Sequence, residues 1–211
     1  MIDFPFAVKV FAALFAIMNP IANIPVFLSL TEGASDTSRR KIAITVMIGV
    51  TVGCIVSAVA GGAILHVFGL TVNDFRLAGG LMVLLIALSM LNGSASTQHA
   101  PTQSEGDALA QTESVAIYPL TIPLLVGPGT IATLIVLGQS AFDTGREAPL
   151  ALGILVFLVV LAVALLSAPF IGHYLSPRII AITQRLMGMI LAAIAMGMMV
   201  TSLQAFFPGL T

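Results

Sequence analysis

Charged side chains are scarce in this sequence. Only 8% of its 211 residues are Asp, Glu, Lys or Arg, whereas 58% are hydrophobic and the mean hydropathy is +1.10. Such a chain has too little polar surface to cover a water-soluble globule. The net charge is -1 and there is no basic tract, so nothing favours nucleic acid as a partner. The composition therefore predicts an integral membrane protein that is surrounded by the lipid bilayer.

Groups for catalysis or metal binding are equally sparse. Cys54 is the single cysteine, which excludes an intrachain disulfide. No charged residue lies near the middle of an apolar stretch, and no Ser-His, His-Glu-x-x-His or paired-carboxylate pattern falls there. We therefore expect no enzyme, no metal, no cofactor and no catalytic residue. A strongly charged substrate would need a buried counter-charge, so a neutral or zwitterionic one fits better.

Long apolar stretches are what the chain does contain. Charged residues fall in clumps and leave six stretches, each able to hold the ~20 residues that cross a bilayer as a helix. The runs are continuous rather than alternating, which favours helices over barrel strands. The sequence thus predicts an all-α polytopic membrane protein with six transmembrane helices, at 5–31, 42–68, 74–92, 114–140, 149–171 and 179–206.

The basic residues set the expected orientation. Arg39, Arg40, Lys41 and Arg178 lie in the loops that follow spans 1 and 5, and the opposite side carries fewer bases. Basic loops remain in the cytoplasm, so we expect both termini to face the periplasm.

A polar linker near the middle of the chain suggests an internal repeat. RLAGGLMVLLIA from Arg76 matches RLMGMILAAIAM from Arg185 at an offset of 109, and Pro20 matches Pro128 at an offset of 108. This predicts a first three-helix repeat at 1–92, a polar linker at 93–113 and a second repeat at 114–211. Because each repeat has an odd number of spans, the second is inverted relative to the first.

Prolines interrupt the first and fourth predicted helices, in AIMNPIANIPVF and YPLTIPLLVGPGT. Proline donates no hydrogen bond to the carbonyl four residues earlier and clashes with it. Asn19-Pro20 and Gly127-Pro128 also have the chemistry of a helix start. We expect each helix to be broken into two half-helices, whose free N–H groups suit a carboxylate and whose free carbonyls suit an ammonium group. The alternative is a pair of kinked, continuous helices, with Asn19 and Asn23 bonded to neighbouring helices.

Four segments resemble the MarC family of six-span inner-membrane proteins: NPIANIPVFLSLT, RLAGGLMVLLIALSMLNG, YPLTIPLLVGPGTI and RLMGMILAAIA. The resemblance covers nearly the whole chain. It implies a bacterial inner-membrane protein of a family that is grouped with small neutral amino acid transporters and is distantly similar to the LysE-type exporters.

We therefore expect a transporter of small neutral amino acids, such as glycine or alanine, with a midplane site between the broken helices. The alternatives are a passive channel for small solutes and a non-transporting assembly or sensor protein. The direction of transport, a coupling ion (proton or sodium) and a homo-oligomer are left open. The predicted substrate-binding residues are Asn19, Pro20, Asn23, Pro25, Pro119, Thr121, Pro123, Gly127, Pro128, Gly129 and Thr130.

Overall fold

The computed structural model describes residues 3–92, 116–207 and 209. These residues form helices and short connections, and they contain no strand. The predicted linker at 93–113 lies outside the described residues. The all-α class expected from the composition is confirmed for the described part of the chain.

Helices and short turns follow one another along the described residues. In chain order they are α1 (Phe4–Met18), α2 (Pro20–Leu30), α3 (Asp36–Val67), α4 (Val72–Leu91), a π-helix (Ala116–Leu125), α5 (Pro128–Thr144), α6 (Glu147–Leu166), α7 (Ala168–Ile171), a short 3-10 turn (Gly172–Tyr174) and α8 (Pro177–Phe206). Five described stretches are long and apolar enough to cross a membrane: Phe4–Leu30, Asp36–Val67, Val72–Leu91, Glu147–Leu166 and Pro177–Phe206.

Helix α3 begins well before the second predicted span. It starts at Asp36 rather than at residue 42, because the Ser35 side chain accepts a hydrogen bond from the Ser38 N–H at 3.2 Å and caps the helix. The first turns carry Arg39 and Arg40, so the helix extends beyond its apolar part. Hydropathy marks where a chain is apolar, whereas a capping residue marks where its helix begins.

The fourth predicted span, 114–140, differs more from the expectation. Its first part is the π-helix, in which the Val126 N–H donates to the Thr121 carbonyl five residues earlier at 2.8 Å. Pro119 and Pro123 lie in this segment, where prolines prevent a regular α-helical ladder. A regular helix begins only at Pro128 and continues to Thr144, past the predicted end.

Glycines allow α3 to lie close to the π-helix and α5. A Cβ added at Gly49 would lie 2.7 Å from Thr121 Cγ2, and one at Gly138 would lie 2.2 Å from the Ala58 carbonyl oxygen. On the other side of the molecule, α1 packs along α6, where a Cβ at Gly153 would lie 2.6 Å from the Ala7 carbonyl oxygen. Such contacts leave no room for a methyl group, so the glycines allow these helices to pack closely.

Helices α4 and α8 form the most extensive pair in the described structure. A Cβ at Gly80 would lie 3.1 Å from the Ala195 carbonyl oxygen, and a Cβ at Gly188 would lie 3.0 Å from the Ala87 carbonyl oxygen. Ala16, near the end of α1, belongs to the same buried cluster as this pair. The broken first helix therefore lies between the large core of α1–α3, α5 and α6 and the α4–α8 pair.

Candidate functional site

The first helix break is centred on Asn19. This residue ends α1, since its N–H donates to the Phe15 carbonyl at 2.9 Å, and it begins α2, since its Oδ1 accepts from the Ala22 N–H at 3.2 Å. Its backbone is left-handed, with φ 35° and ψ 75°. Asparagine tolerates this conformation better than most residues do. Pro20 then occupies the first helical turn, as the sequence predicts.

Asn23 repairs the carbonyls that the break exposes. Its Nδ2 donates to the Met18 carbonyl and, at 3.4 Å, to the Asn19 carbonyl, while its N–H donates to the Asn19 carbonyl at 3.2 Å. The side chain thus bridges α1 and α2 across the break. The sequence left open a contact with a ligand and a bond to a neighbouring helix for Asn23; the structure shows bonds within its own broken helix.

The side-chain amide of Asn19 is different, because it is buried without a partner. The residue is 4% exposed, and within the described part of the chain its Nδ2 finds no hydrogen-bond partner. The amide orientation is assigned by the Ala22 N–H, which requires the oxygen and not the nitrogen on that side. An unpaired buried donor costs about 1–3 kcal/mol. Such a donor is therefore a candidate contact for a ligand oxygen.

The second break lies between the π-helix and α5. Gly127 is extended, with φ -91° and ψ 176°, and α5 begins at Pro128 without a side-chain cap. The Ile131 N–H donates to the Gly127 carbonyl at 3.0 Å, which is the first bond of the helix. The N–H groups of Gly129 and Thr130 belong to the first turn of the helix. The N–H groups of a first turn have no carbonyl acceptor within their own helix. Both residues are buried, so these donors are withdrawn from water.

Two threonine hydroxyls cover carbonyls around the second break. Thr130 Oγ1 donates to the Leu125 carbonyl at 2.9 Å, and Thr121 Oγ1 donates to the Ala116 carbonyl at 2.7 Å. The hydroxyls therefore bond to the carbonyls that the irregular winding exposes. This gives Thr121 and the Thr130 side chain a structural role, in addition to the site role predicted for these positions.

Thr133 is a buried polar residue that the sequence analysis missed. It is 2% exposed, and its Oγ1 has no hydrogen-bond partner among the described residues. It lies one helical turn beyond Gly129, on α5. The available signal was a threonine spaced four residues after the Gly127-Pro128-Gly129 turn, which is a weak signal in a membrane helix.

The start of α5, at the second break, packs on α4. A Cβ at Gly129 would lie 2.9 Å from Ile86 Cδ1 and 3.6 Å from Val83 Cγ2. Val83 also belongs to one buried cluster with Ala16, which lies in the last turn before Asn19. Helix α1, which ends at the first break, also packs on α5, so the helices that adjoin the two breaks are in contact.

The other predicted site residues lie elsewhere or outside the described side chains. Pro25 is half-buried within α2, and Thr121 faces Gly49 of α3. The Pro119 and Pro123 side chains are not among the described ones. The structure therefore centres the candidate site on Asn19, Gly129 and Thr130, with Thr133 added.

The electrostatics of this region come from main-chain groups and amides. The buried polar residues of the described structure are Asn, Thr and Ser, and none of them carries a charge. Two helices, α2 and α5, begin at the breaks, and a helix N-terminus carries a partial positive charge. Buried N–H donors at such a terminus suit a carboxylate. The site can therefore hold a zwitterion without a fixed counter-ion.

A protein-family model and several known proteins are similar to this chain over nearly its whole length. The model of the MarC family, described as "MarC family integral membrane protein", matches residues 4–207. The chain is 33% identical over 208 residues to UPF0056 membrane protein YhcE of Escherichia coli (strain K12), with 99% of this chain and 96% of that protein covered. It is 34% identical over 208 residues to UPF0056 membrane protein YvbG of Bacillus subtilis (strain 168), with 99% of each covered. No solved structure matches the chain.

Proposed function

Because the chain belongs to the MarC family of integral membrane proteins, we propose that it transports small neutral amino acids, such as glycine or alanine, across a bacterial inner membrane. Two observations support this proposal: the Nδ2 of Asn19 is buried and unpartnered among the described residues, and α5, on which α1 packs, has an uncapped start. Both places supply hydrogen-bond donors withdrawn from water, and a substrate carboxylate would satisfy them.

The capping pattern supports a position for the carboxylate at the second break rather than at the first. At the first break, the Ala22 N–H is already bonded to Asn19 Oδ1, and the Asn23 N–H is bonded to the Asn19 carbonyl. The N–H groups of Gly129 and Thr130 have no such cap. In the proposed complex, these two groups and Asn19 Nδ2 bind the carboxylate oxygens.

The ammonium group of the substrate needs hydrogen-bond acceptors. Two candidate acceptors lie within a few residues, in sequence, of the proposed donors. The Ala16 carbonyl is four residues before Pro20, which has no N–H to donate. Thr133 Oγ1 is buried and unpartnered among the described residues. A neutral side chain is expected, because the buried polar residues of the described structure include no charged group that would balance a charged one.

We also propose that the protein spans the membrane six times as two inverted halves, at 1–92 and 114–211, joined by 93–113. The contacts between α4 and α8 support this proposal. Gly80 approaches Ala195 and Gly188 approaches Ala87, and each pair is related to the other by adding 108 to one partner and subtracting it from the second. This offset is one residue shorter than the 109 that separates Arg76 from Arg185. Pro20 and Pro128 are separated by the same 108 residues. Reciprocal contacts of this kind are expected across a two-fold axis.

The arrangement of the halves indicates where movement would occur. Helix α1 of the first half packs on α6 of the second, while α3 of the first packs on the π-helix and α5 of the second. Because the halves interleave, we propose that access alternates by bending at Asn19 and Gly127, with the α4–α8 pair as the fixed frame. Both termini are proposed to face the periplasm. The coupling ion in this proposal is a proton or a sodium ion, and the proposal is compatible with a homo-oligomer.

A closed site favours a transporter over the passive channel. Asn19 is 4% and Thr130 2% exposed, so the described structure encloses the donors rather than lining a continuous polar path. A transporter with an occluded site should show saturable counterflow, which an open channel does not.

The proposal is tested by counterflow of labelled alanine into proteoliposomes preloaded with unlabelled alanine. Asn19→Gly retains the left-handed backbone and removes the amide donor. We expect it to lower uptake at least about tenfold, which corresponds to the loss of one hydrogen bond to a charged group. The matched control is Asn92→Gly, at an exposed asparagine that ends α4. Absence of saturable counterflow of any small neutral amino acid by the unmodified protein would overturn the proposal.

A further inference from the structure

A cleft opens where α3 begins and α6 ends, apart from the two helix breaks. It encloses about 660 Å³. Its wall includes Asp36, Arg39 and Arg40 of α3, and Leu165, Phe170 and His173 from α6 and the turns that follow it. The cleft thus combines two arginines, a histidine and one carboxylate with large apolar side chains at the end of the helix bundle.

The two arginines of the cleft differ in their partners. Arg39 donates to the Thr31 hydroxyl at 3.2 Å and to the Thr31 carbonyl at 3.3 Å, and it lies 3.6 Å from the Asp36 carboxylate. Arg39 is therefore held in place by Thr31, and its ion pair with the exposed Asp36 carboxylate is a weak one. Arg40 is exposed and has neither an ion pair nor a hydrogen bond among the described residues. The cleft consequently offers one unpaired guanidinium to an anion.

An apolar groove continues from this cleft along α3 and α6. It encloses about 370 Å³ and is bordered by Ile44, Ile48 and Val52 on one side and by Ala162 and Leu166 on the other. Leu166 borders both spaces, and Ile44 directly follows Ala43, which borders the cleft. Thr51 is the polar residue in the groove, and its hydroxyl is already bonded to the Met47 carbonyl at 2.7 Å. The groove therefore suits a hydrocarbon chain.

The length of the groove matches one leaflet of a bilayer. The rise of about 1.5 Å per residue places Val52 about 18 Å along α3 from Arg40. Half of a hydrocarbon core of about 30 Å is about 15 Å. A chain whose polar end lies at Arg40 would thus extend close to the bilayer midplane.

We propose that the cleft and groove together form a binding site for an anionic phospholipid. Its phosphate pairs with Arg40, beside Arg39 and His173, and one acyl chain lies against Ile44, Ile48 and Val52. Charge complementarity selects an anionic headgroup over a zwitterionic one, and the apolar continuation selects a lipid over a soluble phosphate. The site is separate from the proposed transport site, and its test does not depend on transport.

The test is native mass spectrometry of the full-length protein in a neutral detergent. Phosphatidylglycerol and phosphatidylcholine with identical acyl chains are titrated separately, and soluble glycerophosphoglycerol serves as the headgroup without chains. We expect phosphatidylglycerol to bind more tightly, and Arg40→Gln to weaken it about fivefold. The matched control is Lys41→Gln, which removes the same charge from an exposed neighbour that does not border the cleft.

A second pair of variants tests the acyl chain. Val52→Trp fills the groove and should lower the affinity for both phospholipids, whereas Val59→Trp, on an exposed part of α3 outside the groove, should not. Thermal unfolding of each variant shows that it is folded. Equal affinity for the two phospholipids, equal losses in Arg40→Gln and Lys41→Gln, or glycerophosphoglycerol binding as tight as that of the lipid would each overturn the proposal.

Discussion

Because the backbone at Asn19 is left-handed, substitution by glycine and substitution by alanine should differ in their effect on the free energy of unfolding. Asn19→Gly and Asn19→Ala both remove the side chain that caps the Ala22 N–H. Glycine adopts φ 35° without strain, whereas a residue with a Cβ pays about 1–2 kcal/mol in the left-handed region. We therefore expect the glycine variant to be the more stable of the two by about 1 kcal/mol, or about 2–4 °C in melting temperature.

An unbroken first helix predicts the opposite order. In a helix interior, glycine is about 1 kcal/mol less favourable than alanine. The assay is thermal unfolding in detergent, followed with a thiol-reactive fluorogenic dye, because Cys54 is the single cysteine and is buried. A higher melting temperature for Asn19→Ala than for Asn19→Gly would refute the break at this residue.

Three further predictions use the same unfolding assay. Gly138→Ala should destabilise the protein by about 1–3 kcal/mol, because its Cβ would lie 2.2 Å from the Ala58 carbonyl oxygen, whereas Gly197→Ala, with nothing within 4 Å, should not. Equal stability of these two variants would contradict the contact between α3 and α5. Thr130→Val should cost about 1 kcal/mol by leaving the Leu125 carbonyl without its donor, and Thr201→Val, at an exposed site, should be near neutral; the reverse order would contradict the second break. The Arg146–Asp3 ion pair, 3.1 Å long with side chains 45% and 32% exposed, should give a coupling of about 0.2–1 kcal/mol in a double-mutant cycle with Arg146→Gln and Asp3→Asn. A larger coupling would contradict the solvent exposure of this pair.

The positions of the helix breaks could be predicted because their chemistry is local. Asparagine or glycine followed by proline favours the start of a helix, and α2 and α5 begin at Pro20 and Pro128. The all-α class followed from composition for a similar reason. Both features depend on the chain and its solvent rather than on long-range contacts.

Other features required the three-dimensional arrangement. The start of α3 at Asp36 depends on a cap outside the apolar stretch, and the π-helix packs on α3, a contact that the local sequence does not reveal. The sequence also predicted both Asn19 and Asn23 as substrate-binding residues and offered no reason to prefer one of them. The structure separates them, because Asn23 bonds across the break while the amide nitrogen of Asn19 is unpartnered among the described residues.

In the proposed complex, the substrate carboxylate lies against the side-chain amide of Asn19. This contact is tested most directly by solid-state NMR of the protein in lipid, with alanine carrying a 13C carboxyl label and the protein carrying 15N in its asparagine side chains. The chain has four asparagines, so the Asn19 amide can be assigned by substitution. We expect a dipolar coupling between that nitrogen and the carboxyl carbon that corresponds to about 3–4 Å, the separation across one hydrogen bond. Bound alanine without a coupling to the Asn19 amide would contradict it.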